Sequence, residues 1–359
     1  MFRATMRTAR SVLRNFKHWL RVARGFDIYR RTGCNTPEAY QSLIKLYCET
    51  NGSSNDLFHA LLKTSSRKYD FPSADGVLGN LTKKQVSDFG EQIRTNGYCT
   101  FPQRLSPEVC DALTRFATTH SAPLFPRREG CPERAVYSRE NPLGDTYWFE
   151  EQSLLDCAEI QQLMADLSLL SVAQAYLECA PILDIVGMWW STIAHFEDTS
   201  KGAAGQLFHF DMNRVKWLKV MFYLTDVDSG GGPHCFVKKT HKAGTQPREL
   251  LRNGYVRYTD EEVRQFYSEE SIVELTGKRG TIVAVDTRGL HKGKTPDTHD
   301  RLVFQLNFCD SLFGAKYESP RIGNDAVPVL LERFQQCPDI FARFTTQMDE
   351  IDTVRSAAA

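Results

Sequence analysis

His209-Phe210-Asp211, the distant His291 and Arg301 are the residues of this chain whose types and spacing could do chemistry. Alternate side chains of a strand point to the same face, so His209 and Asp211 are presented together. A second imidazole completes a two-histidine, one-carboxylate set, which holds non-haem Fe(II) and leaves coordination positions open. Arg301 begins the run Arg301-Leu302-Val303-Phe304-Gln305-Leu306-Asn307-Phe308, and alternation puts Arg301, Val303, Gln305 and Asn307 on one face. A guanidinium facing a barrel interior needs an anion, because an unpaired buried charge is costly. The distal carboxylate of 2-oxoglutarate meets that need with a two-pronged contact. A salt bridge to Asp286 is the competing reading.

With nine histidines in the chain, a chance His-X-Asp is common, and the setting makes this one specific. Lys201-Gly202-Ala203-Ala204-Gly205 precedes it and the apolar run 218–224 follows, so Phe208 and Phe210 are expected to pack inward while His209 and Asp211 face a cavity. His291 follows the strand-like run 280–286, and Gly289 and Gly293 allow a tight backbone path that delivers a ligand from a loop. His195, His234, His241 and His299 are its rivals.

The elements that must position these residues are mostly short strands. Runs at 185–196, 206–211, 216–224, 234–238, 280–286 and 301–309 are separated by Gly, Asp and Pro turns. Helices are predicted at 83–95, from Ser106-Pro107-Glu108, and over 157–179, with a short strand at Gly97–Phe101. Such a pattern predicts a mainly β fold, an antiparallel sandwich or jelly roll with helices packed outside.

Before residue 80 the periodicity is helical. Phe2, Met6, Ala9, Leu13, Phe16, Leu20 and Ala23 follow 4-3 spacing, and Arg3, Arg7, Arg10, Arg14, Lys17, Arg21 and Arg24 follow it one residue later. The stripe 2–24 docks on the catalytic domain, lies on an anionic membrane surface, or serves as a transit peptide; all three readings fit a basic amphipathic helix. Helical patterns continue over 37–49 and 55–63, and 64–76 reads as a linker. The predicted organisation is a helical appendage at 1–80, a catalytic domain at 81–320 and a helical tail at 321–359.

Composition bounds the rest. With 44 basic and 44 acidic residues the net charge is zero, so the molecule as a whole makes no case for a nucleic-acid partner. Ten scattered cysteines without a C-X-X-C pair read as reduced thiols of a cytoplasmic protein, peripheral to a membrane in the second reading of its first helix. No apolar run is long enough to span a bilayer.

The order Gly97-Tyr98-Cys99-Thr100-Phe101, Ser106-Pro107-Glu108, Phe208-His209-Phe210-Asp211, Pro233 to His241-Lys242, Gly289-Leu290-His291-Lys292-Gly293 and Arg301 resembles the phytanoyl-CoA dioxygenase family of Fe(II)- and 2-oxoglutarate-dependent oxygenases, over about residues 85–312. The resemblance implies a double-stranded β-helix whose mouth holds Fe(II) on His209, Asp211 and His291, with Arg301 on 2-oxoglutarate. It further implies help for the cosubstrate from the preceding strand, where Trp190 and Ser191 are candidates. Substrate, O2 and 2-oxoglutarate would give oxidised product, succinate and CO2. Halogenating relatives of this architecture lack the carboxylate, so Asp211 favours hydroxylation. The segments 121–150 and 243–270 are expected to frame the substrate, a small molecule or an acyl or lipid-linked one. Arg127, Arg128, Arg134, Arg139 and Lys216 would suit an anion, although solvated surface charge explains them equally. Two other functions compete: a catalytically silent jelly-roll binding module, and a membrane-associated oxygenase of a lipid-linked substrate.

Overall fold

A computed structural model of the chain describes residues 15–127, 129–194 and 206–346. The expectations placed on residues 2–14, Arg128, His195, 201–205 and the end of the tail after 346 lie outside the described residues.

Among the described residues, eleven strands make two antiparallel sheets. They are β1 (Tyr98–Arg104), β2 (Ser121–Phe125), β3 (Arg134–Val136), β4 (Thr146–Trp148), β5 (Ile182–Ser191), β6 (Trp217–Tyr223), β7 (His234–Val237), β8 (Ile272–Leu275), β9 (Thr281–Val285), β10 (His291–Gly293) and β11 (Arg301–Cys309). The large sheet runs β1-β9-β6-β11-β5-β4-β2-β3 and the small one β10-β7-β8. This is the jelly roll that the spacing of the turns predicts. The outer face of the large sheet is covered by the helices Lys83–Asn96, Pro107–Thr119, Ala158–Met164 and Leu167–Leu177, and side chains such as Leu218, Phe222, Phe304 and Phe308 are buried beneath them. The inner face carries Met221, Tyr223, Val283 and Val303, which pack with Phe236 and Leu275 of the small sheet.

Local sequence explains the helix boundaries. Thr82 and Gln85 form a reciprocal capping box, and Gly97 ends that helix in the left-handed region at φ 91°. Ser106 caps the next helix, with Pro107 in its first turn. The expected helix 157–179 is two helices, because the Asp166 carboxylate caps Leu169 and also accepts from the Val77 backbone. A capping side chain offers the backbone an alternative to continuing, and here it is taken. The expected strand 206–211 is only bridged at Phe208 and His209, since its partners there are the single residues Tyr258 and His291. The tail is less helical than expected: the helix Pro328–Gln336 is flanked by the parallel two-residue pair Arg321–Ile322 and Thr345–Thr346.

The N-terminal helices pack on the barrel with a phase that periodicity does not single out. In the helix Phe16–Thr32, Phe16 and Leu20 of the expected stripe are 55% and 53% exposed. The docked side is Trp19, Val22, Phe26 and Tyr29, which is also spaced 3-4-3. Aromatic partners select it: Trp19 lies 5.4 Å from Phe58, and Phe26 meets Phe313 edge-on at 5.4 Å. Gly25 lets this helix approach so closely that a Cβ there would lie 2.2 Å from that of Ala39. None of the described helices is long and apolar enough to cross a membrane.

The helices Pro37–Thr50 and Ser53–Ser65 reach the barrel through buried polar contacts. Asn55 donates to the Val215 carbonyl at 2.9 Å, His59 meets Asp310 at 2.8 Å, and Tyr47 donates to the Arg288 carbonyl at 3.0 Å. Lys216 is buried behind this seam, 3.4 Å from His59 Nε2 and 4.6 Å above the Tyr176 ring. Burial, with Arg288 adding to it, lowers its ammonium to about 8. The unfolded chain therefore holds that proton between about pH 8 and 10.4 while the folded one does not, and stability from this group rises with pH across that window. Lys216→Met should be more stable than the parent at pH 7.5. Urea titrations at pH 7.5 and 10 should show the parent gaining on the order of 2 kcal/mol relative to the variant. Parallel behaviour of the two proteins would disprove a titrating Lys216.

Candidate active site

The two sheets enclose a cavity of about 580 Å³, and the residues singled out for chemistry converge on it. His209 and His291 face each other as an antiparallel pair that exchanges both backbone hydrogen bonds, at 2.9 and 2.8 Å. Asp211 is fixed two residues on, where its N–H donates to the Thr287 carbonyl at 2.8 Å. The intervening aromatics turn the other way: Phe208 and Phe210 are buried, and Phe210 stacks on Tyr47 at 5.2 Å. Alternation therefore presents His209 and Asp211 together even without a regular strand. His291 is the first residue of β10 rather than part of a loop.

One donor atom from each of His209, Asp211 and His291 lies within 4.8 Å of the others. His209 Nε2 is 3.6 Å from Asp211 Oδ1, and His291 Nε2 is 3.5 Å from Asp211 Oδ2. Each Nδ1 sits 2.9 Å from a backbone carbonyl two residues back, Leu207 for His209 and Gly289 for His291. A carbonyl only accepts, so the proton of each neutral ring is on Nδ1 and the Nε2 lone pairs face the carboxylate. Burial keeps both rings neutral, lowering His209 and bringing His291 down to about 3. Burial by itself would raise the Asp211 carboxyl, yet the Lys219 ammonium and a hydrogen bond from Thr287 hold it well below the usual carboxylate range. Two unprotonated imidazole nitrogens and a carboxylate aimed at one point are a donor set that fits a divalent transition metal.

Arg301 is placed by its register. It pairs with Ser191 across β11 and β5, which sets the two side chains on the inner face, and Nη2 lies 3.2 Å from the Ser191 hydroxyl. Nη1 donates to the Gly232 carbonyl. Gly232 sits at φ 69°, where a Cβ would lie 2.6 Å from the Lys294 carbonyl, so that carbonyl is presented by a glycine-only turn. Arg301 is 5% exposed, its Nε has no partner, and no carboxylate pairs with it among the described residues. The competing salt bridge is absent: Asp286 belongs to Arg288 and Tyr176. A buried guanidinium without a counter-ion is what an anionic cosubstrate would complete.

Ser191 is thus in the site, and Trp190 is not. Trp190 pairs beside Leu302 on the opposite face, stacks on Tyr137 at 3.9 Å and donates to the Ala117 carbonyl in the main core. Its neighbour Trp189 faces the cavity instead. The period of two forbids both Trp190 and Ser191 from facing inward, and the strand phase, set by Arg301 opposite Ser191, decides between them. The walls do come from 121–150 and 243–270, through Phe125, Arg127, Trp148 and Arg257 among others. Arg134, Arg139 and Lys216 stay outside: Arg134 bonds Glu150, and Lys216 is behind the sheet.

Lys219, Arg257 and His234 line the cavity and were not singled out for it. Lys219 was legible, because alternation along 217–223 leaves one cation on the inner face with Met221 and Tyr223. Its ammonium is 3.3 Å from Asp211 Oδ2. His234, one of the rivals of His291, stacks on His291 at 5.2 Å and has a buried Nε2 without a partner. Nothing local marks Arg257, which only the return of the chain past Phe208 brings to the cavity.

A jelly roll with two histidines and one carboxylate aimed at a point in its mouth defines the non-haem iron oxygenase class. The sequence model described as phytanoyl-CoA dioxygenase matches residues 93–301. The chain belongs to the phytanoyl-CoA dioxygenase family, and with it to the 2-oxoglutarate-dependent non-haem iron dioxygenases. No curated protein matches the chain. Among solved structures it is similar to HygX from Streptomyces hygroscopicus, with nickel, 2-oxoglutarate and hygromycin B bound. That match has 14% identity and a TM-score of 0.43, and covers 68% of this chain and 92% of HygX. It is also similar to the apo form of EctD from S. alaskensis, at 15% identity and a TM-score of 0.42, covering 68% of this chain and 80% of EctD.

Proposed function

We propose that this dioxygenase hydroxylates a small molecule in the cavity between its sheets. His209, Asp211 and His291 would hold Fe(II), and Arg301, steadied by Ser191 and the Gly232 carbonyl, would bind the far carboxylate of 2-oxoglutarate. The observation that carries this reading is the convergence, on one cavity, of three metal-ready donors and a buried arginine with no counter-ion. Iron and 2-oxoglutarate, when bound, supply the oxidising power for O2-dependent attack on a C–H bond, with succinate and CO2 as co-products.

The residues of the chain do the rest. The Leu207 and Gly289 carbonyls fix both imidazole tautomers, so no proton has to leave a ring before the metal enters. Tyr47 packs against Phe210 and backs the segment that carries His209 and Asp211. The apolar inner walls, Trp189, Met221 and Val303, keep water from the reacting centre. Retention of Asp211 leaves one position fewer open than a two-histidine site has, which supports hydroxylation over halogenation.

The test needs no substrate. Fe(II) added to the oxygen-free protein, followed by 2-oxoglutarate, should give the visible metal-to-ligand charge-transfer band of a chelated keto acid. Slow succinate release should follow on admitting air. Folded protein that shows neither would sink the assignment and favour the silent binding module.

A further inference from the structure

We propose that the substrate is an anion, a carboxylate or phosphate carried on a flat apolar body, and that Arg257 is the residue that recognises its charge. The inference rests on the iron and 2-oxoglutarate reading, and begins from the balance of charge in the loaded cavity. The divalent metal and Arg301 together offset Asp211 and the dianionic cosubstrate. Among the other charged side chains on the wall, Glu150 is engaged by Arg134 at 2.7 Å and Arg127 by Glu133 at 3.3 Å. Lys219 and Arg257 then remain as positive charge with nothing to balance it. Lys219 lies against Asp211, deep beside the metal donors. Arg257 is exposed, lines the cavity and makes no hydrogen bond or ion pair with any described residue.

The backbone next to Arg257 is held in place. The residue after it, Tyr258, exchanges backbone hydrogen bonds with Phe208 at 2.8 and 2.9 Å, and the Tyr258 hydroxyl donates to the Leu250 carbonyl. The chain at Arg257 therefore runs beside the segment that carries His209, and its exposed side chain forms part of the cavity wall. An unpaired arginine at a cavity with low-dielectric walls attracts and orients an anion.

The body of the substrate is read from the aromatic part of the wall. Trp148 and Trp189 stack on each other at 4.7 Å and 7°, and Trp148 and Phe125, both on the cavity wall, are 45% and 38% exposed. Large aromatics left open at a cavity mouth suit a flat apolar group. An anion on Arg257 and a ring against Trp148 would hold the substrate in the cavity that His209 and His291 also line.

The probes are matched pairs, 2-naphthoate against 2-naphthamide and 2-naphthyl phosphate against 2-naphthol. They are titrated into full-length protein loaded with Fe(II) and saturating 2-oxoglutarate without oxygen, and followed by the shift of the charge-transfer band and by tryptophan fluorescence. The anion of at least one pair should bind more tightly than its neutral partner. Arg257→Gln should weaken that anion roughly ten- to a hundredfold, the loss expected for one charge-assisted contact, while leaving the neutral partner unmoved. Arg139→Gln is the control for general surface charge and should change nothing. Equal binding of anion and neutral partner, anion binding that survives Arg257→Gln, or no anion binding at millimolar concentration would each overturn the proposal. The preferred pair distinguishes carboxylate from phosphate. A protein with no charge-transfer band before any probe is added fails at the metal site instead, and the two failures are thereby separate.

Discussion

Asp211→Asn should abolish iron-dependent turnover while leaving the fold intact. The amide fills the same volume but removes the one negative charge among the three donors, whose Oδ atoms lie 3.5 and 3.6 Å from the two imidazole nitrogens. Residues that merely orient a metal ligand change affinity by about 10–100-fold, so loss of a charged ligand should exceed roughly a hundredfold. Equilibrium dialysis of Fe(II) without oxygen gives the affinity, and the charge-transfer band gives the assembled site. The variant also leaves Lys219 facing an amide, and because both side chains of this ion pair are mostly buried, losing it costs more than the ~1 kcal/mol of an exposed pair. A fall of several degrees in the melting temperature of the metal-free protein is thus expected. If Asp211→Asn retained one equivalent of iron at the affinity of the parent, the donor set would be wrong, and His234, which stacks on His291, would be the next ligand to test.

Arg301→Met should separate the cosubstrate from the metal. The guanidinium has only the Ser191 hydroxyl and the Gly232 carbonyl as partners, with Nε free, so its remaining donors are available to a carboxylate in a dry site. Charge-assisted bonds of this type are worth about 1.5–3 kcal/mol each, and losing two should raise the apparent Kd for 2-oxoglutarate by about a hundredfold or more. Iron affinity should stay within about threefold of the parent, since Arg301 touches no metal donor and the change is only one of distant charge. Arg301→Lys keeps the charge and loses the fork, and should fall between. A second readout has the opposite sign. Burial penalises the Arg301 cation in the empty protein, so Arg301→Met should melt a few degrees higher than the parent without ligands. Equal loss of iron and 2-oxoglutarate, or a lower melting temperature, would mean that Arg301 is a structural residue.

What the amino-acid sequence makes legible follows from the physics of each element. His209 and Asp211 were legible because alternation is local: two residues apart in an extended segment means one face, and Phe208 and Phe210 had to take the other. The segment 206–211 never becomes a regular strand, yet the inference survives, because it needs extended backbone and not a full ladder of hydrogen bonds. Arg301 was legible for the same reason, through the apolar residues at 302, 304, 306 and 308. Trp190 failed because alternation gives two faces without saying which is inner. That choice belongs to the neighbouring strands, and the pairing of Ser191 with Arg301 makes it. The reading that the stripe of the N-terminal helix docks failed in a similar way over its described part. Phe16-Leu20-Ala23 and Trp19-Val22-Phe26-Tyr29 are both helical stripes, and only Phe58 and Phe313, far along the chain, select the second.

By itself, then, the sequence determined the strand-rich class, the two sides of each site segment, and the candidates for the metal donors and for a cation facing an acid cosubstrate. These are short-range consequences of stereochemistry and of the cost of burying charge. Tertiary structure decided which stripe of the first described helix docks, which tryptophan faces the cavity, and that Arg257 reaches it. Each of these depends on segments scores of residues apart being brought together, and no local period carries that information.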